Sequence, residues 1–170
     1  MKKLIATTLI LCFSIVAIAQ EKNVTLPERP NRSKYSDYST KDAGWWCAIQ
    51  IGISYGDTAI LGQLDIVTGY RLSEFLKIGI GVSPRVGLKS IPVYIDVRGN
   101  IIPQVDRMHS FFWKVDVGYA LNDGIYLSPG LGMQLGGIRH NFLVGANYTL
   151  QGFKEVSPKH FAGIYIGYEF

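Results

Sequence analysis

The last eleven residues of the chain, 160–170, carry an apolar side chain at every second position and end on the aromatic Phe170. A period of two places alternate side chains on opposite faces of a β-strand, so this stretch predicts a strand with one apolar face. An apolar strand of this kind at the C-terminus, with no polar tail, is typical of the strand that closes an outer-membrane β-barrel.

The first nineteen residues have the pattern of a secretory signal peptide. A short basic start at Lys2 and Lys3 precedes an almost wholly apolar run from Leu4 to Ile18, and small residues surround a cleavage site after Ala19. The apolar run is too short to span a membrane. We therefore expect the mature chain to begin at Gln20 and to be exported.

The composition excludes several other classes of protein. Hydrophobic residues make up 48% of the chain, yet no later run is long and apolar enough for a transmembrane helix. Lys and Arg outnumber Asp and Glu by only 17 to 13, which is too weak and dispersed an excess to indicate a nucleic-acid partner. An exported, apolar chain without helical spans is best interpreted as a barrel, since only helices and closed barrels satisfy the backbone in lipid.

Two regions follow the signal peptide. Residues 20–43 contain Pro27, Pro30 and mixed charge without periodicity, and are predicted to be a flexible periplasmic lead-in. Residues 44–170 divide into alternating segments, each about as long as a tilted transmembrane strand. An even number of strands places both termini on the periplasmic side. The eight segments are 44–55, 59–72, 75–86, 91–101, 110–120, 124–135, 142–152 and 160–170.

Every charge within a segment falls on the polar face. A Lys or Arg facing lipid at mid-depth would cost about 2–4 kcal/mol, so this placement is what a membrane barrel requires. The sequence therefore predicts an all-β fold, an eight-stranded antiparallel up-and-down transmembrane β-barrel whose lumen holds a cluster of mutually paired charges. The predicted lumen charge cluster is Asp65, Arg71, Lys77, Arg85, Asp96, Arg98, Lys114, Asp116 and Glu169.

A soluble barrel of lipocalin type would instead bury the apolar face. Two observations oppose it: the apolar face is bulky along nearly every strand, although the interior of an eight-stranded barrel is narrow, and the polar face carries many of the strand glycines. Outward-facing aromatic residues also gather toward the predicted periplasmic rim, as in a membrane-interface girdle. These interface aromatics are Trp45, Tyr70, Phe111, Trp113, Phe142, Tyr168 and Phe170.

Four stretches carry a resemblance to known proteins: Thr68–Leu72, Ile78–Val82, Ile91–Arg98 and Gly124–Gly132. With them, residues 44–170 resemble the small eight-stranded outer-membrane barrels of OmpA type and, more closely, an uncharacterised Bacteroidetes-type family of outer-membrane β-barrel domains. The resemblance implies a fold and an outer-membrane location, and it brings no agreed activity. The C-terminal strand is also similar to the signal that the barrel-assembly machinery reads, which implies that machinery as a partner.

Three prolines depart from the simple pattern. Pro84, Pro92 and Pro129 lie within predicted strands, where each removes a ladder hydrogen bond. All three sit toward the predicted outer ends, so we expect bulges or early strand endings there.

The sequence offers little chemistry. His109, His140 and His160 lie in predicted connections without metal-ligand spacing, so no metal or cofactor is expected. Glu155, Ser157 and His160 have the residue types of a hydrolase triad, but they sit within six residues on one loop and no motif surrounds them. No catalytic residue is assigned. Cys47 is interpreted as a small hydrophobic residue on the lipid face.

Three classes of function stay open. The favoured one is a structural or interaction role in the outer membrane, without an open pore, in contact with membrane lipid. The alternatives are a lipid-modifying enzyme and a component of a secretion or transport machinery. The predicted outer loops are short, which favours a periplasmic protein partner reached through residues 20–43 or 102–110 over a surface adhesin.

Overall fold

The computed structural model describes residues 43–56, 60–87, 90–102, 109–121, 123–136, 140–152 and 159–170. The predicted signal peptide and all of the predicted lead-in except Ala43 lie outside these residues. Within them, no helix is long and apolar enough to cross a bilayer.

The described residues form eight wall strands, and each begins and ends within about two residues of a segment predicted from the alternating pattern. The third strand consists of two segments. The strands are β1 Gly44–Gly56, β2 Ile60–Arg71, β3 Lys77–Val82 with Arg85–Val86, β4 Ile91–Asn100, β5 His109–Leu121, β6 Gly124–Gly136, β7 Asn141–Gln151 and β8 Lys159–Glu169.

The wall is closed. Each strand pairs antiparallel with the next in the chain, and β8 returns to pair antiparallel with β1, where Glu169 lies opposite Ala48. No open sheet edge is left along this seam, which is the condition for a β-structure to sit in lipid. The predicted all-β, eight-stranded, up-and-down barrel is confirmed.

The registers give the wall a stagger. A path through directly opposed residues that starts at Gly44 returns to β1 at Ser54, ten residues further along. Such a stagger tilts the strands by about 40° and leaves an interior that side chains can fill. The path runs through Gly44, Arg71, Lys77, Arg98, Lys114, Gly130, Asn147, Gly163 and Ser54.

The distribution of polar and apolar side chains between inside and outside is the reverse of that in a soluble protein. Large aliphatic side chains such as Ile80, Leu131 and Ile164 are 66%, 62% and 69% exposed on the outside of the wall. Charged side chains such as Asp96 and Lys114 are fully buried inside it. An exposed apolar exterior around a charged interior suits a hydrocarbon surrounding and not water, and it rules out the lipocalin arrangement for the described strands.

Pro84 interrupts β3 without shifting it. Val82 lies opposite Ile66 and Arg85 lies opposite Gln63, so both segments of β3 keep one register with β2. A bulge would have inserted an unpaired residue and changed the register. Of the two disturbances expected here, a bulge or an early strand ending, the bulge does not occur. The strand segment ends at Val82 and resumes at Arg85, and the missing proline N–H accounts for this break.

The other two prolines leave their strands continuous. Pro92 lies inside β4 directly opposite Ala120 of β5. Pro129 lies inside β6, whose pairing with β7 lapses between Leu127 and Gly130 and then resumes in the same register. Neither proline ends its strand early, because a local gap in the ladder is enough to accommodate the missing donor.

Inward-facing aromatic rings pack against wall glycines. A Cβ atom placed on Gly81 would lie 2.6 Å from the Tyr94 ring, and one on Gly132 would lie 2.6 Å from the Phe112 ring. Those distances are too short for any side chain, so the glycines make the space that large rings need in a narrow lumen. The same relationship holds for Gly145, which lies beneath Tyr165.

Candidate functional site: the barrel lumen

All nine residues of the predicted lumen charge cluster are buried inside the barrel, each no more than 5% exposed. Buried charges need partners, since an isolated ion in a low-dielectric interior is strongly unfavourable. The contacts within this cluster therefore decide what the lumen can do.

Glu169 joins the two ends of the wall. Its Oε1 atom accepts hydrogen bonds from Nη2 of Arg71 at 2.8 Å and from Nζ of Lys77 at 2.6 Å. Arg71 is the last residue of β2 and Lys77 is the first of β3, whereas Glu169 is the last residue of β8. One carboxylate thus bridges two cations across the β1–β8 seam.

Two further ion pairs run along single strands. Nε of Arg98 donates to Oδ1 of Asp96 at 2.7 Å on β4, and Nζ of Lys114 lies 3.1 Å from Oδ2 of Asp116 on β5. Across the two strands, like charges face each other: Asp96 is opposite Asp116, and Arg98 is opposite Lys114. Each long basic side chain therefore turns along its own strand toward the carboxylate two residues away, which shares its face.

Aromatic rings support the basic side chains. The guanidinium carbon of Arg98 lies 4.6 Å from the centre of the Trp46 ring, and Nζ of Lys114 lies 4.6 Å from the centre of the Tyr165 ring. A cation over a desolvated aromatic face gains about 2 kcal/mol or more. These rings are lumen residues that the charge pattern alone did not single out.

Arg85 occupies the half of the lumen away from Gly44 and Phe170. Its guanidinium carbon lies 5.3 Å from the centre of the Tyr126 ring and 5.5 Å from that of Phe161. Its Nη2 atom donates to the Tyr126 hydroxyl at 3.5 Å and to Oγ1 of Thr149 at 3.4 Å. Two aromatic rings and two hydroxyl groups therefore hold the Arg85 side chain inside the lumen.

Asp65 is linked to the first strand through an amide. Nε2 of Gln63 donates to Oδ2 of Asp65 at 3.4 Å, and Oε1 of Gln63 accepts from the hydroxyl of Ser54 at 2.6 Å. A carboxylate, an amide and a hydroxyl thus form a hydrogen-bonded chain that fills the lumen beside β1 and β2.

A tenth buried charge was missed from the sequence. Glu74 lies in the connection between β2 and β3, yet it is only 3% exposed, and its Oε1 accepts from Nδ2 of Asn100 at 3.3 Å. Oδ1 of Asn100 in turn accepts from Nε2 of Gln134 on β6 at 3.0 Å. Glu74 stands outside the alternating segments, so a pattern of period two gave no signal for it.

The interior is tightly filled at one end of the described barrel. The space bounded by Lys77, Arg98, Asn100, Gln134 and Glu169 leaves no room for a water-sized sphere. Paired charges and rings thus occupy the cross-section at the end of the barrel where Gly44 and Phe170 lie.

The predicted interface aromatics all lie on the outward face toward the end of the barrel where Gly44 and Phe170 lie. The rings of Trp45 and Tyr70 meet edge to face at 6.0 Å between centres, and those of Phe142 and Tyr168 meet at 5.0 Å. Phe170 stacks on Tyr168 at 6.2 Å. On β5, Phe111 is exposed and Trp113 is half-buried.

The remaining sequence candidates do not form a site among the described residues. Nδ1 of His140 lies 3.3 Å from the Tyr168 hydroxyl, and Nδ1 of His160 lies 2.7 Å from the Tyr148 hydroxyl, at opposite ends of the barrel. Within the described part of the chain, no three acidic, histidine or cysteine side chains group as metal ligands. Glu155 and Ser157 lie outside it.

Cys47 departs from its expected environment. It has the outward position predicted for it, but it is buried rather than exposed, at 7%. The backbone groups of Cys47 and the C-terminal Phe170 exchange two hydrogen bonds of 2.8 Å, and these bring the end of the chain alongside it.

Together these features define a class of protein: a closed eight-stranded β-barrel with an apolar exterior and a charge-paired interior, built as a small membrane barrel is built. Among solved structures, the chain is similar to the N-terminal β-barrel domain of Pseudomonas aeruginosa OprF, with a TM-score of 0.50 and 12% sequence identity. The similarity covers 74% of this chain and 97% of that chain.

At that identity the likeness shows the fold alone. No family model matches the chain, and neither does any curated protein. The expectation of a small eight-stranded barrel is therefore confirmed, and membership of a Bacteroidetes-type family stays a prediction.

Proposed function

We propose that the chain is an integral outer-membrane protein whose barrel serves as a closed structural and interaction module. The observation that carries the proposal is the inversion of the barrel: exposed aliphatic side chains form its exterior while ion-paired side chains such as Glu169, Arg71 and Lys77 fill its interior. An apolar exterior favours lipid, and a filled interior leaves the protein no channel to offer.

Export and location form the first part of the proposal. Residues 1–19 act as a signal peptide cleaved after Ala19, and the barrel then inserts in the outer membrane through the assembly machinery, which reads the C-terminal strand. In fractionated cells, we expect the protein in the outer membrane with Gln20 as its first residue. We also expect its gel position to change on boiling, because a closed barrel resists detergent until it is heated. A soluble periplasmic protein would contradict this part.

The closed lumen forms the second part. Purified protein reconstituted in a planar lipid bilayer should give no discrete conductance steps, since the described interior is packed with paired charges and aromatic rings. Stable single-channel openings of uniform size would support a transport component instead.

A periplasmic protein is the partner that we propose, contacted through residues 20–43 or 102–110. Crosslinking in intact cells followed by purification of the barrel should recover a periplasmic protein with the full-length chain. The same protein should be lost when residues 24–40 are deleted or when residues 103–108 are replaced by a short Gly-Ser linker. If neither change alters which protein is recovered, neither of these two regions is the binding site.

A lipid-modifying enzyme is the alternative with a different chemistry. Mass spectra of lipid A from a deletion strain and its parent should be the same if the barrel is not an enzyme. If lipid A from the deletion strain lacked or gained an acyl chain or a phosphate, the result would support an enzymatic role instead of a structural one.

A further inference from the structure

We propose that Glu169 is a register lock: its contacts with Arg71 and Lys77 fix the alignment in which the last strand closes the barrel on the first. This goes beyond the proposed function, because it concerns how one closed wall is selected and not what the closed barrel binds. It requires no partner and no pore.

The geometry joins residues that are far apart in the chain. Glu169 is fully buried, and its Oε1 atom lies within 2.8 Å of both cationic side chains. Arg71 and Lys77 flank the short connection between β2 and β3 and lie directly opposite each other in that hairpin. The hairpin is local in sequence, so it can form before the barrel closes and can present two cations to the arriving strand.

The ion pairs form in one register only. A shift of β8 by one residue along β1 would turn Glu169 toward lipid, because alternate side chains face opposite sides. A shift by two residues would keep it inside but move it by about 6.6 Å, beyond the reach of an ion pair. Both errors leave two buried cations without their carboxylate.

The side chains on the outward face of the seam do little to favour the native register over a shifted one. Ile51 lies opposite Ile166, and Ile53 lies opposite Ile164. A shift of β8 by two residues in one direction would place Ile164 instead of Ile166 opposite Ile51. The outward-facing surface would then be nearly the same. On the inward face, Gly52 opposite Tyr165 favours the native register through the size of the ring. The charge of Glu169 therefore adds a distinct penalty for misalignment.

Disulfide trapping across the seam tests the lock in the full-length protein. Cys12 and Cys47 are first replaced by serine. The pair Ile51→Cys with Ile166→Cys then reports the native register, since opposed Cα atoms in antiparallel strands are about 4.5–5.5 Å apart, as a disulfide requires. The pair Ile51→Cys with Ile164→Cys and the pair Ile51→Cys with Tyr168→Cys report shifts of two residues in either direction.

With Glu169 present, mild oxidation of protein in outer membranes should crosslink the native pair and give little product for the shifted pairs. Glu169→Gln, which keeps the shape and removes the charge, should raise the ratio of shifted to native product roughly tenfold. The double variant Arg71→Gln/Lys77→Gln removes the other half of the lock and should raise the ratio similarly. It also provides the test if Glu169→Gln does not accumulate.

Asp96→Asn is the matched control, because it neutralises another buried, ion-paired carboxylate whose partner Arg98 lies on the same strand, β4, and packs on Trp46 and not on β8. It should leave the ratio unchanged. An unchanged ratio in Glu169→Gln or in the double variant would overturn the inference. An equal rise in Asp96→Asn would overturn it as well, because that would mean any lost buried charge loosens the wall.

Discussion

Nζ of Lys114 lies 3.1 Å from Oδ2 of Asp116, two residues further along the same strand, and both side chains are fully buried in the lumen. Val117, the next residue, points to the opposite side of the wall and is 49% exposed. Adjacent positions of one strand thus face a charged interior and the exposed outer surface of the wall.

The first prediction uses this contrast. Asp116→Leu should lower the free energy of unfolding by about 3–5 kcal/mol, because it leaves the Lys114 ammonium buried without its partner. Val117→Leu should change it by less than about 1 kcal/mol, because the longer side chain projects into lipid. Denaturant titration of the protein in lipid vesicles, followed by tryptophan fluorescence, measures both. Equal midpoints for the two variants would mean that the faces of β5 are assigned incorrectly.

The second prediction tests the depth of the wall in the membrane. Ile80 and Val86 both face outward on β3, but Ile80 lies within the strand and Val86 ends it. Ile80→Arg should cost about 2–4 kcal/mol in vesicles, whereas Val86→Arg should cost about 0–1 kcal/mol, because the penalty for a cation falls toward the interface. The free energies of unfolding in vesicles are compared with the two conservative variants Ile80→Leu and Val86→Leu. A larger penalty at Val86 would place the bilayer centre elsewhere.

The third prediction separates two neighbouring tryptophans. Trp46 is 2% exposed and lies beneath the Arg98 guanidinium, while Trp45 is 76% exposed and touches Tyr70. Trp46→Ala should cost about 3–5 kcal/mol, because it empties a packed site and removes a cation–π contact. Trp45→Ala should cost about 0.5–1.5 kcal/mol, the value of one aromatic pair. Urea midpoints in the same detergent decide the order, and a greater loss at Trp45 would be inconsistent with an inward Trp46.

The fourth prediction concerns the C-terminus. Phe170 exchanges two backbone hydrogen bonds with Cys47 and stacks on Tyr168 at the rim. Deleting Phe170 should lower the folded protein in outer membranes far more than deleting residues 20–23, because only the first deletion removes part of the closing seam. The heat-modifiable fraction at equal synthesis rates is the measurement. Normal folding without Phe170, together with failure of the N-terminal deletion, would assign the assembly signal to the N-terminal region.

The barrel itself follows from local pattern. Strand bounds, the two faces of the wall and the inward direction of the nine charges depend on a period of two, which each segment carries in its own residues. Pro84 shows the limit of such reasoning: the missing donor predicts a disturbance, but whether it becomes a bulge or a simple break depends on β2, which holds both segments in one register.

The pairing of lumen charges on distant strands depends on the tertiary structure. Arg71 and Glu169 are brought together by the stagger of the closed wall, and no local pattern relates residues so distant in the chain. Glu74 enters the lumen from a connection, where alternation gives no direction. Within the strands, the inward direction of each side chain could be predicted from the sequence, because strand geometry sets it residue by residue. The local pairs Arg98–Asp96 and Lys114–Asp116 join residues two apart on one strand. The contacts between distant strands arise only when the barrel closes, because they depend on the register of all eight strands at once.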